Sequence, residues 1–268
     1  MQRTPSVFAA SGRVSALDGS AVPVPRTVRH PTLLAPAVRK AIRQRMLLFR
    51  QAALDRIQSL TGASPSDLKR YRRDIAEGDV PDLLLQRGAS LAYTRELPQG
   101  ALLYLVVRSL RPRHVVETGV RPGYSTAWIL AGLEANGSGD LVSLGPGPTQ
   151  GRATGVQDAS VGQLVPPSLR GRWTLVLGNT EERLASILEE HGAVDLYFYD
   201  NGPDPSRARF ELRSAWAALS AVGVLLAHHV DSNPAWSEFC RQQGVTDSLL
   251  DSGPPPLGAL GMRARLPG

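Results

Sequence analysis

Cysteine is nearly absent from this sequence, since Cys240 is the only one among 268 residues. A single cysteine excludes an intramolecular disulfide and any metal cluster built from several cysteines. No segment reaches the roughly 18 consecutive apolar residues that a membrane-spanning helix needs. The first residues also lack the continuous apolar region of a secretory signal. We therefore expect a cytoplasmic protein in a reducing compartment, with no membrane partner.

Aromatic residues are also sparse, at 6% of the chain, but hydrophobic residues reach 42%, which is enough to build a buried core. The length allows one α/β domain of ordinary size with an extension. The net charge of +6 is unevenly placed: residues 1–95 carry 16 basic and 7 acidic side chains, and the remainder carries a net charge of −3. A basic segment can bind nucleic acid, an anionic partner or an acidic substrate. Because the chain has no recognisable nucleic-acid-binding motif or aromatic platform, we do not expect nucleic acid as its partner.

The N-terminal third has two parts. Residues 1–35 are proline-rich and aperiodic, which predicts an irregular arm. Residues 36–61 predict one helix, because apolar residues recur along one face and arginines fill the other. A second, shorter helix is expected after the serines near residue 64. Residues 1–95 therefore form a basic helical extension, whose apolar stripe covers either part of a substrate pocket or a contact with a second subunit. The stripe comprises Val38, Ile42, Met46, Phe49, Ala53, Ile57 and Leu60.

Strands and helices alternate in residues 96–268. A helix over GALLYLVVRSL precedes five β-branched or apolar segments, each followed by a turn and most by an amphipathic helix. This alternation predicts βαβ units and a parallel sheet covered on both faces. The proline-rich tail is expected to add one strand at the edge. The five strand segments are HVVETG, DLVSL, WTLVLG, VDLYFYD and VGVLLAHHV.

The strongest local signal is the turn after the first of these strands, where Glu117, Gly119 and Gly123 have the spacing E-x-G-x-x-x-G. Glycines permit positive φ and a close approach of a ligand to the backbone, and the helix that follows offers free N–H groups to an anion. The spacing differs from the G-x-G-x-x-G of nicotinamide and flavin sites. An acid beside such a turn suits a cationic ligand, and S-adenosylmethionine carries an ammonium and a sulfonium. A plain tight turn would have the same residues.

Three stretches resemble the class I S-adenosylmethionine-dependent methyltransferases that act on small molecules in bacterial secondary-metabolite and sugar-modifying pathways. They are VVETGVRPGYSTAWIL, LVPPSLRGRWTLVLGNTEERLASIL and VDLYFYDNGPDPSRARFELRSAWAALSAVGVLLAHHVDSNPAWSEFC. The resemblance implies a Rossmann-like α/β sheet of seven strands with the last one antiparallel. It also implies a cofactor site above the first strand. The residues expected to bind S-adenosylmethionine are Glu117, Gly119, Gly123, Ser125 and Asn179.

Two polar anchors of the family are altered in this chain. The second strand of such proteins ends in an acid that binds the ribose, and here Gly145 stands in its place. The third strand is usually followed by Gly-Asp, and here it is followed by Gly178 and Asn179. Each lost hydrogen bond costs about 1 kcal/mol or more. These changes leave open a degenerate methyltransferase fold that binds a ligand, acts as a scaffold or catalyses another reaction.

The candidate catalytic residues are Asp200, at the end of the fourth strand, and His228 and His229, at the end of the fifth. In metal-using relatives an Asp and a later acidic pair hold magnesium, whereas the pair here is histidine. Magnesium prefers oxygen ligands, so one Asp with two His would instead suit zinc, iron or manganese. Adjacent strand residues point to opposite faces, so the two histidines can converge only if the strand has ended. The other use of a histidine is as a general base that removes the proton of an acceptor hydroxyl.

The function expected from these features is methyl transfer from S-adenosylmethionine to a small molecule, with a hydroxyl oxygen as the acceptor. The degenerate fold is the alternative, and the use of a divalent metal stays open.

Overall fold

The computed structural model describes residues 14–15, 40, 43–79, 82, 97–147, 161–232, 234–245, 249–251 and 256–262. Within these ranges the chain forms one mixed sheet with helices on both faces. Its strands are β1 (Val14–Ser15), β2 (His114–Thr118), β3 (Asp140–Gly145), β4 (Trp173–Leu177), β5 (Val194–Tyr199), β6 (Leu219–His228), β7 (Leu249–Asp251) and β8 (Leu257–Gly261). The α-helices are α1 (Gln51–Thr61), α2 (Pro65–Glu77), α3 (Leu97–Leu110), α4 (Tyr124–Asn136), α5 (Thr180–His191), α6 (Pro205–Ala218) and α7 (Ala235–Gln242), and a 3-10 helix spans Pro167–Arg172.

The strand order is β1-β4-β3-β2-β5-β6-β8-β7. The seven strands from β4 to β7 form the sheet that the sequence predicts, in which β8 pairs antiparallel with both β6 and β7. The sequence predicted that the tail adds a strand at the edge of the sheet. The structure instead places this strand, β8, between β6 and β7. Strands β2, β5 and β6 are parallel neighbours, so their carboxyl ends meet at one side of the sheet.

Both faces of the sheet are covered by buried apolar side chains. One core lies between the sheet and helices α1 to α4, and includes Ile57, Leu105 and Trp128. The other lies under α5, α6 and α7. Cys240 is buried in this second core beside Phe239 and forms no disulfide. None of the helices in the described ranges is both long and apolar enough to cross a membrane.

The N-terminal extension departs from the predicted single helix. Residues 43–46 are helical, the chain leaves the helix at residues 47–50, and α1 begins at Gln51. Arg50 is extended, with φ −71° and ψ 149°, and Leu48 is 73% exposed. Phe49 instead packs against the core, with the Arg72 guanidinium 5.4 Å from its ring centroid. These tertiary contacts outweigh a helical propensity that no glycine or proline interrupts.

The rest of the extension follows the sequence pattern where it is described. Ala53, Ile57 and Leu60 of the predicted stripe are buried, and α1 contacts both α3 and β7. Ser64 caps α2 in a capping box with Asp67, as the serine-rich start predicts. Val38 and Ile42 of the stripe and most of the proline-rich arm lie outside the described residues. Within that arm, however, β1 pairs parallel with β4 and adds an eighth strand.

Candidate functional site

The turn after β2 is shaped by two glycines in the left-handed region, Gly119 with φ +92° and Gly123 with φ +89°. A Cβ at Gly119 would stand 2.2 Å from the Asp200 carbonyl oxygen, so only glycine lets the turn approach the loop after β5. Gly123 is the N-cap residue of α4, and no side chain caps that helix. The first N–H groups of α4 are therefore available to a ligand at the end of the sheet.

Glu117 lies behind this turn and is 1% exposed. Its carboxylate accepts hydrogen bonds from the hydroxyls of Ser125 at 2.6 Å, Thr126 at 2.8 Å and Ser143 at 2.8 Å. Burial raises the pKa of Glu117 to about 7, and the three hydroxyls oppose that shift. The structure thus gives Glu117 a positioning role: it fixes the first turn of α4 to β3. A direct contact between Glu117 and a cofactor stays a prediction.

Asp200, His228 and His229 converge at the carboxyl ends of β5 and β6. His228 Nδ1 and Asp200 Oδ1 are 2.9 Å apart, and the two imidazole centroids are 4.3 Å apart. The convergence has a backbone cause, because β6 ends at His228 and His229 is left-handed with φ +53°. The strand has therefore ended at His228, which is the condition under which adjacent histidines can converge. Both imidazole rings lie on the same side.

The two histidines differ in environment. His228 is 8% exposed and His229 is exposed. Partial burial, together with the adjacent His228, lowers the pKa of His229 below its ordinary value. A carboxylate that accepts from Nδ1–H leaves Nε2 of the same ring as the basic nitrogen and stabilises the imidazolium that protonation would form. The Asp200–His228 pair can therefore act as an oriented base.

The same three side chains can be tested as a metal site. One donor atom from each of Asp200, His228 and His229 lies within 4.8 Å of the others. Magnesium, which the resemblance implies for metal-using relatives, prefers a set of oxygen ligands, and two imidazoles do not supply one. The donors do not fit magnesium, and we derive no step through that ion. The set is of a type that zinc, iron or manganese accepts.

A cavity of about 310 Å³ joins the turn to this cluster. Its walls come from α3, the turn, the start of α4, the end of β5 and the loop after it, the end of β6 and the start of β8. Gly123 and Ser125 of the predicted cofactor site line it together with Asp200, His228 and His229. The residues lining it that the sequence argument missed are Gln99, Gly100, Leu103, Arg121, Pro122, Tyr124, Phe198 and Leu257. Arg121 could have been predicted from the sequence as a site residue, because it lies inside the turn motif. The α3 residues could not, because they reach the cavity only through tertiary packing.

Gly145 and Asn179 lie at the ends of β3 and β4, away from the lining of this cavity. A Cβ at Gly145 would stand 2.9 Å from Val161 Cγ1 and 3.1 Å from Leu177 Cδ2. The position of the family's ribose-binding acid is therefore packed with apolar groups. Asn179 caps α5, its side-chain oxygen accepting from the Glu181 N–H at 2.9 Å. A cofactor contact of Asn179 stays a prediction.

A second buried carboxylate supports the loop that carries Asp200. Glu211 of α6 is fully buried and accepts a 2.6 Å hydrogen bond from the Asn201 side chain. It also accepts one from the Tyr197 hydroxyl at 3.4 Å. Burial raises the pKa of Glu211 to about 7. No sequence motif pointed to Glu211, because its partners lie on other elements.

One family model matches part of the chain. Residues 116–230 match a family described as a methyltransferase domain. This segment runs from β2 to just beyond the two histidines and includes every predicted site residue. No curated protein matches the chain.

Solved structures match more than three quarters of the chain. CalS11, a TDP-rhamnose 3'-O-methyltransferase of calicheamicin biosynthesis, is 19% identical with a TM-score of 0.51, over 79% of this chain and 93% of that one. Cofactor-bound Rv0187 from MTB is 20% identical with a TM-score of 0.49, over 77% and 93%. The O-methyltransferase from Bacillus cereus, in complex with SAH, is 18% identical with a TM-score of 0.47, over 77% and 96%. At these identities the likeness to CalS11 shows the fold.

Proposed function

We propose that this chain transfers a methyl group from S-adenosylmethionine to a hydroxyl of a small molecule. The proposal starts from the match of residues 116–230 to a methyltransferase domain and from the strand order of the sheet. The observation that carries the proposal is one cavity lined both by the uncapped start of α4 and by the Asp200–His228 pair. The proposed donor site and the proposed base therefore line the same cavity. The degenerate fold, the alternative from sequence, is not favoured.

The cofactor side of the cavity consists of the turn and the first residues of α4. The free N–H groups after Gly123 suit the carboxylate of the methionine moiety, and Ser125 lines the cavity beside them. Glu117 holds Ser125 through their 2.6 Å hydrogen bond. When bound, S-adenosylmethionine supplies an electrophilic methyl group on a sulfonium. The chain's task is then to place the acceptor oxygen in line with that methyl group.

The acceptor side consists of the Asp200, His228 and His229 cluster. His228 takes the hydroxyl proton on Nε2 while Asp200 holds the ring through Nδ1. Asp200 lies at the cavity wall because Gly119 packs on its carbonyl and because Glu211 holds the next residue, Asn201. His229, more exposed, lies at the same wall, where it can contact the acceptor.

The test begins with calorimetry of the purified chain against S-adenosylmethionine and S-adenosylhomocysteine. Binding in the micromolar range is expected for both. Transfer of isotopically labelled methyl groups to a panel of small hydroxylated compounds then reads the reaction. Absence of binding to both nucleosides would contradict the proposal and return the degenerate fold to first place.

We also propose that the protein works in the cytoplasm, in a biosynthetic pathway of secondary metabolism. Cys240 is buried and forms no disulfide, which is compatible with a reducing compartment. The methyltransferases of such pathways modify small hydroxylated compounds, which is the chemistry proposed for this cavity. Fractionation of the native host tests the location. Detection of the protein outside the cytosolic fraction would contradict it.

A further inference from the structure

We infer that the methyl acceptor is an anion, and that its acidic group binds to the guanidinium of Arg121 at the rim of the cavity. The inference rests on the proposed function, because it specifies the chemical class of the acceptor. Arg121 is the single Lys or Arg among the described residues that line the cavity. It lies between the two glycines of the turn and is exposed.

Hydrogen bonds hold the backbone at Arg121 and at the residue that follows it. Its carbonyl oxygen accepts a 2.8 Å hydrogen bond from the Gly162 N–H, and Pro122 follows with a restricted φ. The carbonyl of Pro122 in turn accepts from the Leu164 N–H at 2.8 Å. The turn therefore presents the arginine from a constrained loop, and less conformational entropy is lost when a ligand binds to it.

The charge of Arg121 is not used within the described structure. Its guanidinium makes no hydrogen bond or ion pair to any of the described residues. Asp200, the acid on the cavity wall, is paired with His228 at 2.9 Å, and Glu117 lies behind the turn with three hydroxyl donors. The guanidinium is close enough to His229 that its positive charge contributes to lowering the pKa of that imidazole. A cation therefore stands beside the proposed acceptor site.

The donor cannot account for this arginine. S-adenosylmethionine brings an ammonium and a sulfonium, which a nearby guanidinium repels. Its carboxylate already has a site in the N–H groups at the uncapped start of α4. An anionic acceptor between donor and arginine would be attracted by both, and an arginine fork matches a carboxylate or phosphate group.

Three apolar residues that line the same cavity give the rest of the acceptor's character. They are Leu103, Phe198 and Leu257, and all three are buried. Apolar atoms of a ligand there would be removed from water. The structure therefore assigns the site to a hydroxylated anion that has an apolar portion, with the hydroxyl toward His228 and the acidic group toward Arg121.

The experiment compares matched probes that differ in the acidic group. We would use 3,4-dihydroxybenzoate against 3,4-dihydroxybenzamide, and glucose 6-phosphate against glucose, with the chain saturated by S-adenosylhomocysteine. The unmodified chain is expected to bind at least one acid about tenfold or more tightly than its neutral partner, the range of one charge-assisted hydrogen bond pair. In Arg121→Gln this preference should disappear, while the affinity for S-adenosylhomocysteine stays within about twofold.

A matched control is Arg113→Gln, which removes an exposed arginine just before β2, at the other end of the strands. It should leave the preference for acids unchanged. The inference is overturned if no acid binds better than its neutral partner, or if Arg121→Gln keeps the preference. It is equally overturned if Arg121→Gln weakens S-adenosylhomocysteine itself, since the arginine would then bind the donor carboxylate. These outcomes are distinct from failure of the proposed function, in which the unmodified chain binds neither nucleoside.

Discussion

His228 Nδ1 lies 2.9 Å from Asp200 Oδ1, across the carboxyl ends of two neighbouring parallel strands. The contact forms where both strands end, since the last residue of β5 is Tyr199 and the last residue of β6 is His228. An acid and an imidazole in this relationship form an oriented base, and the reaction proposed for the cavity needs one.

Replacement of His228 by alanine should lower kcat by about 10²–10⁴-fold, the usual share of acid–base catalysis. The dissociation constant for S-adenosylmethionine should stay unchanged, because the donor site is proposed at the turn and the start of α4. His229→Ala is the neighbouring control and should affect KM more than kcat. Equal, small effects of both variants on kcat would assign the pair to structure instead.

Chelator treatment separates the base from a metal site. We expect activity to survive prolonged dialysis against EDTA, and purified protein to contain no stoichiometric metal. If activity is lost and zinc, iron or manganese restores it, Asp200, His228 and His229 are ligands of a metal ion. His228 would then not be the general base, because the metal ion would occupy its imidazole nitrogen. Elemental analysis of the unmodified chain and of His228→Ala measures the bound metal without an activity assay.

Substitutions at the start of α4 should weaken donor binding. Gly123→Val introduces a Cβ at φ +89° within 2.9 Å of Val165, so it should lose cofactor binding and also lower the melting temperature. Because of that second effect, Ser125→Ala is the milder variant; it removes the 2.6 Å contact to Glu117 while keeping the backbone. We expect about a tenfold weaker Kd for S-adenosylmethionine with little change in melting. Unchanged affinity in both variants, measured by calorimetry, would move the donor site away from the turn.

Stability should fall as pH rises, owing to Glu117. Its pKa is raised from 4.5 to about 7 by burial, so the folded chain keeps a proton that the unfolded chain has lost between those values. The stabilisation is complete below pH 4.5 and is lost as pH rises through about 7, a change of about 1–3 kcal/mol. Glu117→Gln cannot titrate and should reduce the difference in melting temperature between pH 5 and pH 8, while Glu211, whose pKa burial also raises to about 7, keeps its own share of that difference. Glu190→Gln, an exposed carboxylate on α5, is the control and should leave the slope unchanged.

Removal of residues 1–95 should cause aggregation. The deletion takes away α1 and α2, whose buried side chains include Ile57, Leu60 and Leu68, and uncovers the face of α3 on which they pack. Each such side chain contributes about 1.5–3 kcal/mol. Removal of residues 1–39 alone keeps both helices and should give a folded protein, by light scattering and circular dichroism. A folded, fully active chain without residues 1–95 would show that the extension is a separate unit.

The sequence predicted the order and type of the elements from β2 to α7, because the strands are short β-branched runs and the helices have clear caps such as Asn179 and Asp204. It also predicted that Asp200, His228 and His229 meet, since parallel strands end on one side. It did not predict the break before Gln51 or the position of β8, which depend on packing with distant residues. The buried partners of Glu117 and Glu211 were likewise hidden, because each network joins several elements.

The position of β8 has a consequence for the order in which the sheet can be completed. Strand β7 is synthesised before β8, yet β8 separates it from β6 and supplies its pairing partner. A ribosome-bound chain that has made β7 therefore has no neighbour for it in the sheet, and α1, which contacts β7, lacks that part of its packing surface. Strand β8 is thus an internal strand that follows its neighbour β7 in the chain, so the sheet and its N-terminal cover can close together only after β8 has been made.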